Sequence, residues 1–163
     1  MFKLVTPAGT AQLNELEDQA LALLEEVPYA KQMQAIKGIG TITVAGILAE
    51  GGDLSHYQHG NQLLRHGGLH LCEDSSGKHK GQIVISKRGR PQLRKLLYMA
   101  VISLVTNNNE FKQLHRYNVQ IKKMKKVHSI LKLCGKLARI LVGIAQQNEP
   151  YCPEKVSKLT MAA

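Results

Sequence analysis

Apolar positions along this chain recur mostly at helical spacing. Between residues 10 and 27, Leu13, Leu16, Ala20, Leu23 and Val27 follow one another at intervals of three and four, with Glu15, Glu17, Asp18, Glu25 and Glu26 between them. That period predicts a helix with one apolar stripe. The stripe is a two-heptad seam, too short for a stable isolated coiled coil. It suits the end of a longer helix, or a helix packed on the domain. Pro28 stops it.

Apolar residues next flank Lys37-Gly38-Ile39-Gly40, with Ile42, Val44, Ala45, Ile47 and Leu48 behind. Residues 31–50 thus predict two short helices around a glycine turn, ended by Gly51-Gly52. A short helix is expected around Asn61–His66. Residues 69–81, rich in Ser, Gly, Asp and Lys, predict a loop. Ile83-Val84-Ile85 is a short β-like run. Pro91, suited to a first helical position, opens a helix to about Thr106. It is apolar on most sides through Leu93, Leu96, Leu97, Met99, Ala100, Val101 and Leu104, and predicts the buried helix of the domain. Asn107-Asn108-Asn109 breaks it. Helices are expected over Glu110–Lys126 and His128–Gln147, the latter with a core stripe of Ile130, Leu133, Leu137, Ile140, Leu141 and Ile144. The fold class is mainly α. Residues 1–30 form a coiled-coil stub and 31–150 the body, with a helix-hairpin-helix-like motif at 34–50. Residues 151–163 form a tail.

Charge sharpens this picture. The net charge is +10 over 163 residues, unevenly placed. Residues 1–77 hold four Lys/Arg against nine acids, and residues 78–163 hold eighteen against three. A basic half of this kind repels itself unless a polyanion meets it, so nucleic acid is the expected partner. The aromatic fraction is 4% with no Trp, which argues against base stacking as the main mode of binding. No basic leader precedes an apolar run, and no apolar segment approaches ~20 residues. A cytoplasmic protein with no membrane partner is expected. Three widely spaced cysteines, Cys72, Cys134 and Cys152, suit reduced thiols, with Cys134 in the core.

Several residues could carry chemistry. Gly38 and Gly40 let the backbone turn tightly and expose N–H groups at a helix start, where a DNA phosphate can be held without reading sequence. Ser76 sits on a Ser-Gly loop close to Lys78, Lys80, Lys87, Arg88, Arg90 and Arg94. Such cations suit phosphoryl transfer by stabilising charge on phosphate. No G-x-S-x-G elbow supports a hydrolase triad. Lys132, Lys136 and Arg139 recur at i, i+4, i+7 and could track a phosphate backbone. His66, His70, Cys72 and His79 match no usual zinc spacing, so no metal site is expected. No carboxylate cluster suited to two-metal chemistry is visible either.

The run from Ile36 to Tyr151 resembles the C-terminal transposase domain of the insertion-sequence 110 family, the bridge-RNA-guided DNA transposases and recombinases. The matching pieces are Ile36-Lys37-Gly38-Ile39-Gly40, Gly67-Gly68-Leu69, Ser76-Gly77, Ile85-Ser86-Lys87-Arg88-Gly89, Leu93-Arg94-Lys95-Leu96-Leu97, and Lys136-Leu137-Ala138 before Tyr151. The resemblance implies that Ser76 is the nucleophile that attacks a DNA phosphodiester during transposition, with Ser75 the adjacent alternative. It implies a guide RNA as partner, and Mg²⁺ held by four acids of an N-terminal RuvC-like domain. It also implies a composite site between subunits, with homo-oligomerisation through the coiled coil that residues 13–27 would end. On that expectation the chain is a truncated transposase, inactive without the RuvC-like part. The alternatives are a non-catalytic nucleic-acid-binding module and a truncated regulator of the full-length transposase.

Overall fold

The computed structural model describes residues 7–74 and 82–154. The α-helices are α1 (Pro7–Glu25), α2 (Ala30–Gln34), α3 (Thr41–Gly51), α4 (Gly60–His66), α5 (Pro91–Asn107), α6 (Asn109–Arg116) and α7 (Lys126–Gln147). A 3₁₀ turn spans Leu54–His56 and a π-helical turn spans Tyr117–Ile121. Strands β1 (Leu71–Asp74) and β2 (Gln82–Ile85) form an antiparallel hairpin, from Leu71 opposite Ile85 to Asp74 opposite Gln82. The mainly α expectation holds.

The centre of the body is α7. Ile130, Leu133, Cys134, Leu137, Ala138, Leu141, Val142, Ile144 and Ala145 are buried, covering most of the helix surface. It packs against α4, α5, α6 and the 3₁₀ turn. Here the sequence expectation is corrected: α5 buries only the stripe Leu93, Leu97, Ala100, Val101 and Leu104, while Met99 and Ile102 are exposed. An apolar-rich helix can border solvent on one side when a longer helix takes the centre. The Cys134 thiol reaches Leu97 O of α5 at 3.8 Å, and burial pushes it up to about 12.

Two other boundaries differ from expectation. Residues 71–74 form a strand rather than loop, because their backbone groups pair with the apolar run of β2; Leu-Cys-Glu-Asp carries no strand signal by itself. The helix expected over 110–126 ends earlier. The chain widens into the π turn, Met124 N donates to Asn118 O at 3.0 Å, and Lys123 adopts a left-handed φ of 53° before α7 begins.

Helix α1 packs on α3 and α2 through its C-terminal end, where Leu24 is buried. The seam is not gathered into the body. Leu16 and Leu23 are exposed and Ala20 is half-buried. Ala20, Leu23 and Val27 line an open apolar groove with Ile42, Ala45 and Leu48 of α3. Tyr29, just beyond α1, ties this region to the 3₁₀ turn. Its hydroxyl donates to Asp53 Oδ1 at 2.7 Å and accepts from Leu54 N at 3.0 Å.

Candidate nucleic-acid interface

The glycine turn between α2 and α3 is seated on the C-terminal end of α5. Gly38 has φ +103, and a Cβ there would stand 3.3 Å from Leu104 Cα and 3.4 Å from Asn107 Cβ. Asn108 fixes the turn from below: its Nδ2 donates to Lys37 O at 3.2 Å. Its Oδ1 meanwhile caps α6 by accepting from Glu110 N at 3.1 Å and Phe111 N at 3.3 Å. One side chain thus satisfies a helix start and pins the turn. Gly40 is the N-cap of α3, with its carbonyl taken by Thr43 N and Val44 N. The N–H groups of Thr41 and Ile42 precede the helical ladder. No side chain caps them, and the space beside Gly40 is open: a Cβ would meet nothing within 4 Å.

The second part is the root of the hairpin, where two glycine-containing segments cross. Gly89 lies so close to Gly67-Gly68 that a Cβ would collide with His66 O and stand 2.5 Å from Gly68 N. Its φ of +155 is one that glycine adopts without strain. Around the crossing, Ser86 N donates to His70 O at 2.9 Å, Lys87 N to Gly68 O at 2.9 Å and Arg90 N to His66 O at 2.8 Å. The Arg94 guanidinium, projecting from α5, closes it. Its Nη1 donates to Gly67 O at 3.0 Å and to Lys87 O at 3.1 Å. Arg90 reaches the end of α3 instead, donating to Glu50 O at 3.0 Å with Glu50 Oε2 at 3.9 Å. Arg90 and Arg94 are therefore engaged with the protein's own backbone, whereas the side chains of Lys87 and Arg88 are exposed. Gly67-Gly68, Lys87-Arg88-Gly89 and Arg94, which the sequence scatters over 28 positions, meet at one place. Ser76, Lys78 and Lys80 fall on the connection between β1 and β2, outside the described residues, as does Ser75.

Behind the crossing, Tyr57 Oη donates to Gly51 O at 2.6 Å, so His66 Nδ1, 2.8 Å away, carries the proton and donates to Tyr57. Burial pushes the Tyr57 hydroxyl above its ordinary value. His66 is a structural residue in this arrangement.

The α7 stripe is only partly a stripe. Lys132 and Arg139 are exposed, but Lys136 is 9% exposed, and burial followed by nearby Arg139 pushes its amine down. A helix that is apolar on most sides draws even a lysine stem inward. Lys132 is also pushed down, by burial first and then by Lys122 and Arg139. Lys122 comes from the turn before α7. Lys122-Lys123-Met124-Lys125-Lys126, expected as a helix end, instead leads from the π turn into α7; four lysines in five residues are its signal in the sequence.

Among the described residues no three His, Cys, Asp or Glu side chains converge. Glu50 faces Arg90, and Asp53 accepts from Tyr29, Ser55 N and the Ser55 hydroxyl. These residues do not fit a Mg²⁺ site. Ser129 Oγ stands 2.8 Å from His115 Nδ1, a spacing that suits an activated nucleophile. The serine is fully buried and accepts from Asn118 Nδ2 at 3.3 Å, so it is part of the core.

The chain belongs to the transposase IS116/IS110/IS902 family, whose model matches residues 30–116. It is 27% identical over 138 residues to the transposase for insertion sequence element IS1111A of Coxiella burnetii, covering 85% of this chain and 35% of that protein. It is also 27% identical over 146 residues to a probable family 20 transposase of Pseudomonas aeruginosa, covering 88% of this chain and 43% of that protein. The chain thus spans less than half the length of either relative. The matched segment includes the glycine turn, the crossing and the hairpin.

Proposed function

We propose that this chain is the DNA-holding, nucleophile-bearing part of a transposase, with Ser76 as the attacking group. The observation that carries the reading is the crossing. It roots a hairpin and presents exposed Lys87 and Arg88 there, inside the segment shared with the transposase family, and Ser76 falls in the sequence between the two strands. In the reaction, the Ser76 Oγ–P bond forms as one ester P–O bond of the DNA backbone breaks, and the departing sugar oxygen takes a proton. Lys78 and Lys80, close to Ser76 in sequence, offset the negative charge that develops on the phosphate, and exposed Lys87 and Arg88 hold phosphates at the hairpin root. Arg94 and Arg90 act by position, holding Lys87 and Arg88 at the hairpin root. Gly40 and the first N–H groups of α3 grip a backbone phosphate in the manner of a helix-hairpin-helix, without reading sequence.

The described residues do not fit Mg²⁺; on this reading the metal is held by the acids of a RuvC-like segment. A guide RNA supplies target recognition. The exposed Leu16 and Leu23 of the α1 seam meet a second copy of the chain. Strand exchange on a supercoiled donor–target pair, with a RuvC-like half, Mg²⁺ and guide RNA supplied, tests the reading. Ser76→Ala abolishes exchange and leaves DNA affinity within about twofold. Exchange by Ser76→Ala at the unmodified rate would refute the nucleophile; lost binding would assign Ser76 to DNA holding instead.

A further inference from the structure

Between α6 and α7 the chain forms a feature that the proposed reaction does not use. The backbone widens into the π turn Tyr117–Ile121, then bends at Lys123, whose φ of 53° is uncommon for a residue with a side chain. Irregular backbone of this sort persists only where surrounding contacts hold it, and it gathers at functional sites. The contacts here are internal. Lys122 N donates to Tyr117 O at 3.1 Å and Met124 N to Asn118 O at 3.0 Å. The buried Asn118 side chain in turn donates to Ser129 at the start of α7. Outward, the turn exposes Lys122, Lys123, Lys125 and Lys126. Interleaved with them are Tyr117 at 41% exposure, Ile121 at 67% and Val127 at 55%. Lys122 Nζ lies 5.5 Å from the Tyr117 ring centroid. Lys122 and Arg139 both crowd Lys132.

The charge around this turn is one-sided. From Phe111 to Arg139 the sequence holds nine Lys/Arg and no Asp or Glu. Cations gathered this way repel one another until a polyanion lies across them. A duplex offers only phosphates to such a surface and gains little from exposed Tyr, Ile and Val. An unpaired strand offers phosphates and bases together, and its bases settle on aromatic and apolar faces. We propose that the turn 117–127 docks an unpaired nucleic-acid strand, with Lys122, Lys123, Lys125 and Lys126 on phosphates and Tyr117 and Ile121 beneath bases. The proposal rests on the nucleic-acid reading above. It adds a second surface, separate in sequence from the hairpin root and the glycine turn, and a strand state for its ligand. RNA and DNA strands share this chemistry.

The test is fluorescence anisotropy with single-stranded DNA, single-stranded RNA and duplex DNA of about 16 nucleotides, read across salt concentrations. Four chains are compared: unmodified, Lys123→Gln/Lys125→Gln, Tyr117→Ala and Lys87→Gln/Arg88→Gln. The Lys123→Gln/Lys125→Gln chain weakens single-strand binding about tenfold and lowers its salt slope by about 1.4, with duplex binding within about twofold. Tyr117→Ala weakens single-strand binding about fivefold without moving the slope. Loss on both strands assigns the backbone as the ligand, and loss on RNA alone assigns RNA. Unchanged single-strand affinity in Lys123→Gln/Lys125→Gln, or an equal loss on duplex, overturns the proposal. In that event, weaker duplex binding by Lys87→Gln/Arg88→Gln leaves the nucleic-acid reading standing. An unmodified chain that binds no probe overturns both. Lys123 and Lys125 are exposed, so the lysine variant stays folded even if Tyr117→Ala melts early.

Discussion

Replacing Arg94 with Gln separates a clamp from a phosphate contact. In the structure Arg94 Nη1 donates to Gly67 O at 3.0 Å and to Lys87 O at 3.1 Å. Hydrogen bonds from a charged donor contribute about 1.5–3 kcal/mol each. Both bonds leave the same Nη1 of a half-buried side chain, so solvent discounts them and the pair contributes about 2 kcal/mol, less than two full bonds. In a domain of this length such a loss lowers the thermal midpoint by about 4–8 °C. The salt slope of DNA binding stays the same, because no phosphate contact is lost. Arg88→Gln behaves in the opposite way. Its side chain is exposed, so stability changes by less than about 0.5 kcal/mol, and the salt slope falls by about 0.9. Circular dichroism melts and binding isotherms across salt read both quantities. If Arg94→Gln melts with the unmodified chain while its salt slope falls by about 0.9, the guanidinium reaches DNA and the clamp is wrong.

Further outcomes are expected. Gly38→Ala, forced to keep φ +103 against Leu104, loses about 1–2 kcal/mol of stability; Gly40→Ala, in open space, melts nearly unchanged yet binds DNA about tenfold more weakly, through loss of the close phosphate approach. The Ser55 hydroxyl and then Tyr29 hold Asp53 down at about 2, so its contribution is complete above pH 3.8 and fades as pH falls toward 2; Asp53→Asn removes that acid dependence from the thermal midpoint. Burial, then the bond to Asp53, pushes the Tyr29 hydroxyl up to about 12, so its contribution is full below pH 10 and lost as pH rises toward 12; the gap in midpoint between the unmodified chain and Tyr29→Phe closes over that interval. Finally, a maleimide labels half-buried Cys72 and Cys152 in the native chain, and Cys134 only after unfolding.

The helical periods of the chain carried most of the architecture. Pro91 opening α5, the glycine turn at Gly38 and the α7 core stripe are local signals, and each stands where its residues place it. Long-range pairing left no such trace. Strand β1 exists because β2 lies beside it, and nothing in Leu71–Asp74 announces that partner. Which apolar helix takes the centre depends on which neighbours each meets, and the composition of α5 does not reveal that α7 meets more of them. The candidate site was legible as a set of residue types and not as roles. Arg88, Arg90 and Arg94 look alike in sequence, yet Arg90 and Arg94 spend their donors on backbone carbonyls. Lys136 shares a helical interval with Lys132 and Arg139 but turns into the core. Asn108, read as a helix breaker, joins α6 to the glycine turn through contacts 71 residues apart in sequence.

The measurement that tests the central claim most directly is peptide mapping of the protein–DNA adduct. The chain is incubated with DNA, a RuvC-like half, Mg²⁺ and guide RNA, then digested and sequenced by mass spectrometry. The account predicts a nucleotide phosphate on Ser76, absent from the Ser76→Ala chain. A nucleotide on any other side chain, Ser75 included, or exchange that proceeds with no adduct at all, would contradict it.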